Sequence, residues 1–516
     1  MSALDRSSTV AVVGAGTMGQ GIAQVALLAG HRVKLHDAVP GRARAAVETL
    51  AGRLDRLVAK ERLSAADRGA ALARLAAAGD IEELSDARLV VEAVIEDLAA
   101  KRRLLAELEA VVGDECLLAT NTSSLSVTAV AGALRLPGRL VGLHFFNPAP
   151  VLPLVEVVAG AASDPAAVTT AYDTAAAWGK APVRCTDTPG FLVNRVARPF
   201  YAEALRIHEE RAADPATVDA LLRECGGFAM GPFALMDLIG QDVNEAVTRS
   251  VWDAFNHDPK FTPSLAQRRL VESGRLGRKS GRGWFAYDAD TAALSGPRTA
   301  EPAAAPPFVT VRGDLGPARE LVALAQESGI EVREEPYPAS GQAGRPRGDG
   351  RPRRGVVVLP SGTPLRLADG RLPGEAAVCF DLALDYRAAT RIGIAPSAGV
   401  HQDGLEQAVG FFQAMGKAVS VIGDVPGMVV ARTVAMLVDF AVDAVAREVA
   451  SAHDVDTAMR LGVNYPLGPL EWGERLTAPW VRDLLDGLHS WYPTGRYAPC
   501  PELRRRAAAA EGVVSS

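Results

Sequence analysis

The N-terminal part of the chain alternates short apolar runs with longer stretches in which apolar and polar positions are mixed. Thr9–Val13 is a continuous apolar run rich in β-branched residues, which is typical of a buried parallel strand. Leu89–Val94 and Leu140–His144 are further runs of this kind. Leu98–Val111, between them, has the charged and amphipathic pattern of a helix. The alternation predicts a doubly wound α/β domain over residues 1–186.

The pattern changes after this domain. Residues 187–290 have the spacing of long helices and predict an all-α domain. The composition of residues 291–307, rich in Ala and Pro, predicts a linker. Residues 308–412 again predict an α/β segment, interrupted at 338–355 by a Gly/Pro/Arg loop that is either solvated or able to bind phosphate. Residues 413–500 predict a second all-α domain.

An internal repeat relates the two helical regions. Gly179–Arg195 (GKAPVRCTDTPGFLVNR) matches Gly416–Arg432 (GKAVSVIGDVPGMVVAR) 237 residues later. The offset holds without a gap as far as Gly231-Pro232 and Gly468-Pro469. The helical domain therefore occurs twice. A weaker echo links the α/β segments, but the second has lost the glycine pattern of the first, so we expect a degenerate copy.

Composition and charge exclude several classes of protein. Lys and Arg number 55 and Asp and Glu number 61, for a net charge of −6, and a mildly acidic chain is a poor partner for nucleic acid. The five cysteines are scattered without a CxxC pair, which argues against a disulfide framework and against a metal site. No apolar stretch reaches the roughly 18 residues of a membrane span. We expect a cytoplasmic protein without a membrane partner.

A glycine-rich segment, GAGTMG, follows the first predicted strand and opens a predicted helix. Gly14 allows the tight turn, Gly16 lets the backbone approach a pyrophosphate, and Gly19 allows close contact between helix and strand. The pyrophosphate is expected at the N-terminus of the helix, where unpaired N–H groups favour an anion. Thr17 and Met18 complete the predicted cofactor-binding segment. The fold predicted here is a Rossmann domain.

Asp37 indicates which dinucleotide binds. It ends the next predicted strand, Arg32–His36, 18 residues after Gly19. A carboxylate there can accept hydrogen bonds from both ribose hydroxyls and repels a 2′-phosphate. Because the next residues, Ala38, Val39 and Pro40, offer no arginine to offset that repulsion, the sequence predicts NAD rather than NADP.

Four motifs and one carboxylate follow each other along the chain: Asn121–Leu125 (NTSSL), His144–Pro148 (HFFNP), Glu156, Pro189–Arg195 (PGFLVNR) and Gly277–Phe285 (GRKSGRGWF). Together they resemble the L-3-hydroxyacyl-CoA dehydrogenases. The longer arrangement, with a reduced Rossmann-like segment and a second helical domain, resembles the bacterial 3-hydroxybutyryl-CoA and 3-hydroxyadipyl-CoA dehydrogenases across nearly the whole chain. The resemblance implies NAD-dependent interconversion of a (3S)-3-hydroxyacyl-CoA and its 3-oxoacyl-CoA, in fatty-acid or phenylacetate-type catabolism.

The resemblance also implies roles for four residues. His144 matches the family's base, and a histidine suits that role because its pKa lies near working pH. Glu156 matches the carboxylate that orients the imidazole. Ser123 and Asn194 match groups that bind the substrate's reacting oxygen and stabilise charge on it. Alternatives stay open for Ser123, which could cap a helix, and its neighbour Ser124 is a rival for the role.

Further contacts follow from the same resemblance. Glu96, Lys101, Asn121 and Asn147 match positions that contact the nicotinamide–ribose half of the cofactor. Glu96 and Lys101 could equally be a charged pair on a solvated helix face. Lys60 lies in the region that contacts CoA in the family, or it is a plain surface residue beside Glu61.

The second copy is expected to lack a site. Asn194 falls on Ala431, and Arg391–Pro396 is predicted to echo Arg139–Asn147, with Ala395 in the place of the histidine. We expect the second helical domain to pack on the first, as a partner subunit does in family dimers, and a homodimer stays open. Two other functions also stay open: a dehydrogenase of the same fold for a small free hydroxy acid, and an NAD-binding scaffold without activity.

Overall fold

The computed structural model describes residues 3–287, 296–336, 355–373 and 375–514. Its strands are β1 (Thr9–Val13), β2 (Arg32–His36), β3 (Leu75–Ala78), β4 (Ala87–Glu92), β5 (Leu117–Thr120), β6 (Leu140–Phe145), β7 (Leu154–Ala159), β8 (Ala181–Thr186), β9 (Phe308–Arg312), β10 (Glu331–Glu335), β11 (Val356–Val358), β12 (Pro364–Leu367), β13 (Val378–Phe380), β14 (Arg391–Pro396) and β15 (Ala418–Val421).

The α-helices are α1 (Thr17–Leu28), α2 (Arg42–Ala59), α3 (Ala65–Leu72), α4 (Leu98–Val111), α5 (Val127–Ala131), α6 (Pro165–Ala177), α7 (Val193–Val196), α8 (Arg198–Glu209), α9 (Pro215–Glu224), α10 (Pro232–Ile239), α11 (Gln241–Ala254), α12 (Leu265–Glu272), α13 (Glu320–Glu327), α14 (Gln402–Ala414), α15 (Val430–Ala446), α16 (Ala452–Gly462), α17 (Pro469–Leu476), α18 (Ala478–Trp491) and α19 (Pro501–Val514). None of the helices in the described ranges is long and apolar enough to cross a bilayer.

The chain divides into two compact units. The first comprises Met1–Arg195 and Ala444–Val463. It contains an eight-stranded sheet in the order β3-β2-β1-β4-β5-β6-β7-β8, parallel from β3 to β6, with β7 antiparallel to β6 and β8 parallel to β7. The strands predicted from the apolar runs are confirmed, whereas β3, β7 and β8 were not predicted.

The core of this unit lies against the sheet. Val12 of β1 and Val91 of β4 are fully buried and pack with Ile22 of α1, Leu50 of α2 and Ala171 of α6. A buried valine or leucine contributes roughly 1.5–3 kcal/mol relative to an exposed one. Because β1, β4, β5 and β6 are parallel, their carboxyl ends meet at one edge, which is where open α/β sheets bind ligands.

The second unit comprises Val196–Asp443 and Asn464–Ser516. Its seven-stranded sheet has the order β10-β9-β11-β12-β13-β14-β15 and mixes parallel with antiparallel pairs. The α/β fold followed by helices and a reduced second α/β segment is thus present as predicted. The predicted second helical domain, 413–500, starts ahead of β15, which belongs to the sheet, and stops short of α19, which packs on α18.

The duplication extends further back than the sequence motif. Four pairs of elements have identical bounds at the offset of 237 residues: β7 and β14, α6 and α14, α10 and α17, α11 and α18. Left-handed backbone positions recur at the same offset: Gly179 and Gly416, Gly190 and Gly427, Phe191 and Met428, Arg211 and Glu448, Gly227 and Asn464, Gly240 and Thr477. Because positive φ is uncommon outside glycine, this recurrence shows that backbone conformation, and not only composition, is repeated.

The two copies exchange a helix. In the first unit, α16 of the second copy packs on β7 and β8 of the first, and Thr186 N donates to Val449 O at 2.9 Å. In the second unit, α9 of the first copy packs on β14 of the second, and Gly423 N donates to Ala212 O at 2.8 Å. These two hydrogen bonds are the same bond at the offset of 237. Reciprocal contacts of this kind define an isologous interface, here within one chain.

A buried ion cluster joins the helical copies inside the second unit. Glu203 of α8, fully buried, accepts from Arg432 Nε at 2.7 Å, from Arg496 Nη2 at 2.6 Å and from the Tyr497 hydroxyl at 2.7 Å. Arg432 also reaches Glu210 at 3.0 Å. Burial raises the pKa of Glu203, but Arg496 and Arg432 lower it more, to about 2. Two arginines and one tyrosine of the second copy therefore depend on one carboxylate of the first.

Part of the predicted linker is held in place. Ala300 N donates to Val419 O at 2.8 Å, and Ala303 N donates to the side chain of Gln413 on α14 at 2.8 Å. Its composition suggested a free connection, but the backbone groups of residues 300–303 find partners on the second sheet and its helix. Residues 288–295 and most of the arginine-rich loop, 337–354, lie outside the described residues.

Replacing Glu203 by glutamine should destabilise the protein and change how its stability depends on pH. Loss of the carboxylate leaves Arg432 and Arg496 buried with one positive charge uncompensated, which costs about 3–5 kcal/mol. Because the pKa of Glu203 lies below its ordinary 4.5 in the folded state, its contribution is present above pH 4.5 and lost as pH falls toward 2. Melting temperatures from pH 7 to 3 should show that loss in the wild type and less of it in Glu203→Gln. Glu272→Gln, at an exposed pair on α12, is the control, and an equal loss in both variants would contradict the assignment.

A chain that ends at residue 287 should be poorly soluble and less stable than the full chain. It lacks Arg432, Arg496 and Tyr497, so Glu203 keeps a buried charge without these partners, and the surface of β7 and β8 that α16 covers becomes exposed. Solubility and melting temperature, measured beside the full chain, test this. A truncated chain as stable as the full chain would show that the second copy is not needed for folding.

Candidate active site

A histidine and a glutamate face each other across neighbouring strands. His144 of β6 is directly opposite Glu156 of β7 in the antiparallel ladder, and the Nδ1–Oε2 distance is 2.6 Å. Both side chains are buried, His144 at 8% exposure and Glu156 at zero. Phe146 and Phe191 pack around the imidazole, with ring centroids at 4.5 and 5.9 Å. With Nδ1 bound to Glu156, Nε2 is the nitrogen that can exchange a proton with a substrate.

Glu156 also fixes the segment that carries Asn194. Its second oxygen, Oε1, accepts from Leu192 N at 3.0 Å and from Val193 N at 2.8 Å. Those amides begin α7, and Asn194 is the second residue of that helix. The preceding Gly190 and Phe191 have φ of 76° and 50°, so the chain turns sharply into the helix. One carboxylate therefore organises both the histidine and the PGFLVNR segment.

The second copy replaces this pair. Gly393 of β14 lies at the offset of 237 from Glu156, and Asp381, whose N–H donates to Gly393 O, takes the place of His144. Asp381 accepts from Val429, Val430 and Ala431 amides at 2.8–3.0 Å, and burial raises its pKa to about 6. The prediction that Ala395 occupies the histidine position is wrong. Arg391–Pro396 repeats β7, not β6, because the ungapped offset reaches back to Leu154.

The turn after β5 is held by Glu96. Glu96 Oε1 accepts from Thr122 Oγ1 at 2.6 Å, from Ser123 N at 2.9 Å, and from Ser124 N and Oγ at 3.0 and 2.9 Å. Burial raises the pKa of Glu96, and the Thr122 hydrogen bond and the Lys101 charge together lower it further, so that it lies below its ordinary value. The hydroxyl of Ser124 is engaged by Glu96 at 2.9 Å, whereas that of Ser123 is only 3.4 Å away. This difference favours Ser123 over Ser124 as the group available to a substrate.

Lys101 is not on a solvated helix face. It is 1% exposed, and its Nζ lies 2.6 Å from Oε1 of Glu92, which is fully buried, and 3.5 Å from Glu96 Oε2. The reading of Glu96 and Lys101 as a surface pair is therefore wrong. Glu92 was missed by sequence reasoning, which treated it as part of an apolar strand. The signal that could have found it is a carboxylate at the carboxyl end of an otherwise apolar strand.

The glycine segment has the geometry of a dinucleotide loop. A Cβ on Gly14 would lie 2.4 Å from Ala93 O, and one on Gly19 would lie 1.7 Å from Gly14 O. A Cβ on Gly16, which caps α1, would meet nothing within 4 Å. The first two positions thus require glycine for packing, whereas Gly16 faces open space before a helix N-terminus without a side-chain cap. An anion such as a pyrophosphate fits there.

Asp37 is tied to the same loop. Its Oδ2 accepts from Ala15 N at 2.8 Å and its Oδ1 from Val39 N at 2.9 Å. Arg42, just beyond the residues considered in the sequence, lies 3.8 Å from the carboxylate. The carboxylate thus stands beside the glycine segment, where an adenosine ribose is expected.

The other predicted residues are less closely gathered. Asn121 accepts from Phe145 N at 2.9 Å and so links β5 to β6 beside His144. Asn147 and Thr17 are exposed at the same edge of the sheet, and Met18 is half-buried. Lys60 is exposed just after α2 and makes no hydrogen bond or ion pair with another described residue, so the structure does not bring it to the site.

A Rossmann sheet with a buried histidine–glutamate pair at its carboxyl edge defines an NAD-dependent dehydrogenase. Family models match most of the chain. The NAD-binding domain of 3-hydroxyacyl-CoA dehydrogenase matches residues 9–188, and the C-terminal domain of that family matches twice, at 190–287 and 427–512. The reduced Rossmann-fold domain of 3-hydroxybutyryl-CoA dehydrogenase matches residues 365–426. The chain belongs to the 3-hydroxyacyl-CoA dehydrogenase family.

Individual relatives agree with this. The chain is 42% identical over 507 residues to a 3-hydroxyadipyl-CoA dehydrogenase of Escherichia coli, covering 98% of this chain and 99% of the relative. A solved structure of 3-hydroxybutyryl-CoA dehydrogenase from Escherichia coli K12 superposes with a TM-score of 0.86 at 40% identity, over 99% of this chain and all of that one. A shorter 3-hydroxybutyryl-CoA dehydrogenase of Mycobacterium tuberculosis is 40% identical over 55% of this chain and 99% of its own length.

Replacing Glu156 by glutamine should lower kcat by about 10²–10⁴-fold, because the amide cannot stabilise a protonated imidazole as a carboxylate does. The melting temperature should change less, since the amide oxygen can still accept from Leu192 and Val193. Glu109→Gln is a matched control, because this buried carboxylate also accepts from two amides, Arg135 and Leu136, outside the site. An unchanged kcat in Glu156→Gln would remove Glu156 from the site.

Proposed function

We propose that His144, Glu156, Ser123 and Asn194 are the residues through which this NAD-dependent enzyme interconverts a (3S)-3-hydroxyacyl-CoA and the 3-oxoacyl-CoA. The observation that supports this most is the buried 2.6 Å contact between His144 and Glu156 at the carboxyl edge of the sheet. A scaffold that only bound NAD would need no such proton-exchanging pair.

The proton transfer follows from the orientation of the imidazole. Nδ1–H donates to Glu156, so the Nε2 lone pair is the base that accepts the substrate hydroxyl proton. The imidazolium that forms is stabilised by Glu156, whose negative charge is already aligned by the Leu192 and Val193 amides. In the reverse direction, Nε2–H returns the proton to the carbonyl oxygen. Ser123 and Asn194 donate to the same oxygen as charge develops on it.

NAD, when bound, supplies the hydride acceptor. Gly14–Gly19 and the N-terminus of α1 would hold its pyrophosphate, and Asp37 its adenosine ribose. Val39 and Ile95, 52% and 72% exposed, follow the carboxyl ends of β2 and β4 and offer apolar surface for planar rings. Asn121, Asn147, Glu96 and Lys101 would lie toward the nicotinamide half. These assignments combine the local geometry with the family resemblance.

For the acyl group we favour a dicarboxylic chain of the 3-hydroxyadipyl type. The relative that matches over 98% of this chain has that name, whereas the shorter 3-hydroxybutyryl-CoA relative matches over 55%. Arg198, considered earlier as a group that could bind a distal carboxylate, is 5% exposed, donates to Thr248 Oγ1 at 3.0 Å and packs over Tyr201. It therefore contributes to helix packing, and the preference rests on the full-length relationship.

We also propose that the second copy does for the first what a partner subunit does in a dimer. The reciprocal helix exchange and the Glu203 cluster support this, because each repeats contacts expected of an isologous interface. The replacement of His144 and Glu156 by Asp381 and Gly393 leaves one site of this kind in the described chain.

Purified protein should oxidise NADH in the presence of acetoacetyl-CoA or 3-oxoadipyl-CoA, followed by the nicotinamide absorbance. We expect a higher kcat/KM with 3-oxoadipyl-CoA, and a loss of about 10²–10⁴-fold in His144→Gln with either thioester. Free acetoacetate and 3-oxoadipate serve as substrates without CoA. Turnover of the free acids but not of the thioesters would contradict the proposal, and equal kcat/KM values would contradict the dicarboxylic preference.

A further inference from the structure

A buried charge pair lies beneath the turn that carries Ser123. Glu92 is the last residue of β4, and its Oε1 lies 2.6 Å from Nζ of Lys101 on α4. The same oxygen accepts from Val94 N at 2.8 Å, and Oε2 accepts from Thr120 Oγ1 at 2.6 Å. Because a buried ion pair is tolerated only when its polar atoms have partners, this complete set fixes the position of the Lys101 ammonium.

Lys101 connects this pair to a second glutamate. Its Nζ lies 3.5 Å from Oε2 of Glu96, which is 35% exposed. The other oxygen of Glu96 accepts the hydrogen bonds of the turn, among them Ser123 N at 2.9 Å. Glu92, Lys101 and Glu96 thus form a chain of alternating charge that runs from the buried strand to the turn.

We propose that Glu92 is a positioning residue of the active site: by fixing Lys101 it holds Glu96, and through Glu96 it holds the turn that presents Ser123. Glu92 itself is fully buried, so it acts through these neighbours and not by contact with substrate. The inference rests on the proposed role of Ser123 in binding the reacting oxygen.

The charge arrangement explains why the glutamate is needed. With a neutral side chain at position 92, Lys101 has Glu96 as its remaining close carboxylate and would draw both Glu96 oxygens toward its ammonium. Oε1 would then leave the amides of Ser123 and Ser124. A displacement of about 1 Å at a group that positions reacting atoms can cost about 10²-fold in rate, so a modest shift of the turn is measurable.

A double-mutant cycle tests this. Glu92→Gln should lower kcat for 3-oxoacyl-CoA reduction about tenfold in the wild-type background, and less than about twofold when Ser123 is already alanine. A residue that acts through Ser123 loses its effect when the serine is gone, whereas a residue that only stabilises the fold has the same effect in both backgrounds. Equal losses, or no loss in the wild-type background, would overturn the proposal.

Two further measurements make the result specific. Glu109→Gln, the buried carboxylate near the C-terminal end of α4 that pairs with Arg139 at 3.3 Å, should leave kcat unchanged in both backgrounds. A crystal structure of Glu92→Gln should show Glu96 Oε1 beyond hydrogen-bond distance of Ser123 N, and an undisturbed turn would overturn the proposal. This structural result is independent of activity. An inactive wild type would therefore count against the proposed function, while the inference would still be decided by the turn.

If Glu92→Gln does not fold, Thr120→Val provides a milder change. It removes one hydrogen bond to Glu92 Oε2 and leaves both charges in place. We expect a loss of kcat of about threefold that again disappears in the Ser123→Ala background. A loss of the same size in both backgrounds would contradict the inference.

Discussion

The Glu156 carboxylate is the interaction on which the site depends. One oxygen orients His144, and the other holds the amides that begin α7. The carboxylate lies in an environment without solvent, where its hydrogen bonds and charge are strong and where an unsatisfied oxygen would be costly. The base and the segment that carries Asn194 are therefore positioned by the same group, and neither can move without disturbing the other.

The second copy shows which part of this arrangement is structural and which is chemical. Asp381 still caps the equivalent helix, through the amides of Val429, Val430 and Ala431, but it does so from the position of the histidine, and Gly393 stands where Glu156 would be. The helix-capping function of the carboxylate has been kept, because buried amides need a partner in either copy. The proton-exchanging pair has been lost.

The same duplication explains the internal interface. Each copy contributes a helix to the sheet of the other, and a buried cluster around Glu203 ties the helical copies together. Such clusters contribute specificity more than net stability, because their desolvation offsets much of the attraction between the charges. A retained helical copy without a histidine–glutamate pair is consistent with a role in packing.

The sequence by itself determined the dinucleotide loop, the main strands, the duplicated helical domain and the identities of His144 and Glu156, because these depend on local spacing and on motifs that keep their order along the chain. It assigned Arg391–Pro396 to the wrong strand, because a short apolar run fits several strands equally well. Only the tertiary structure decided which charges meet. Glu92 pairs with Lys101 because β4 and α4 are packed side by side, and Glu203 meets Arg432 and Arg496 across more than 220 residues of chain. Contacts between distant segments depend on how sheets and helices pack, and no local pattern records that packing.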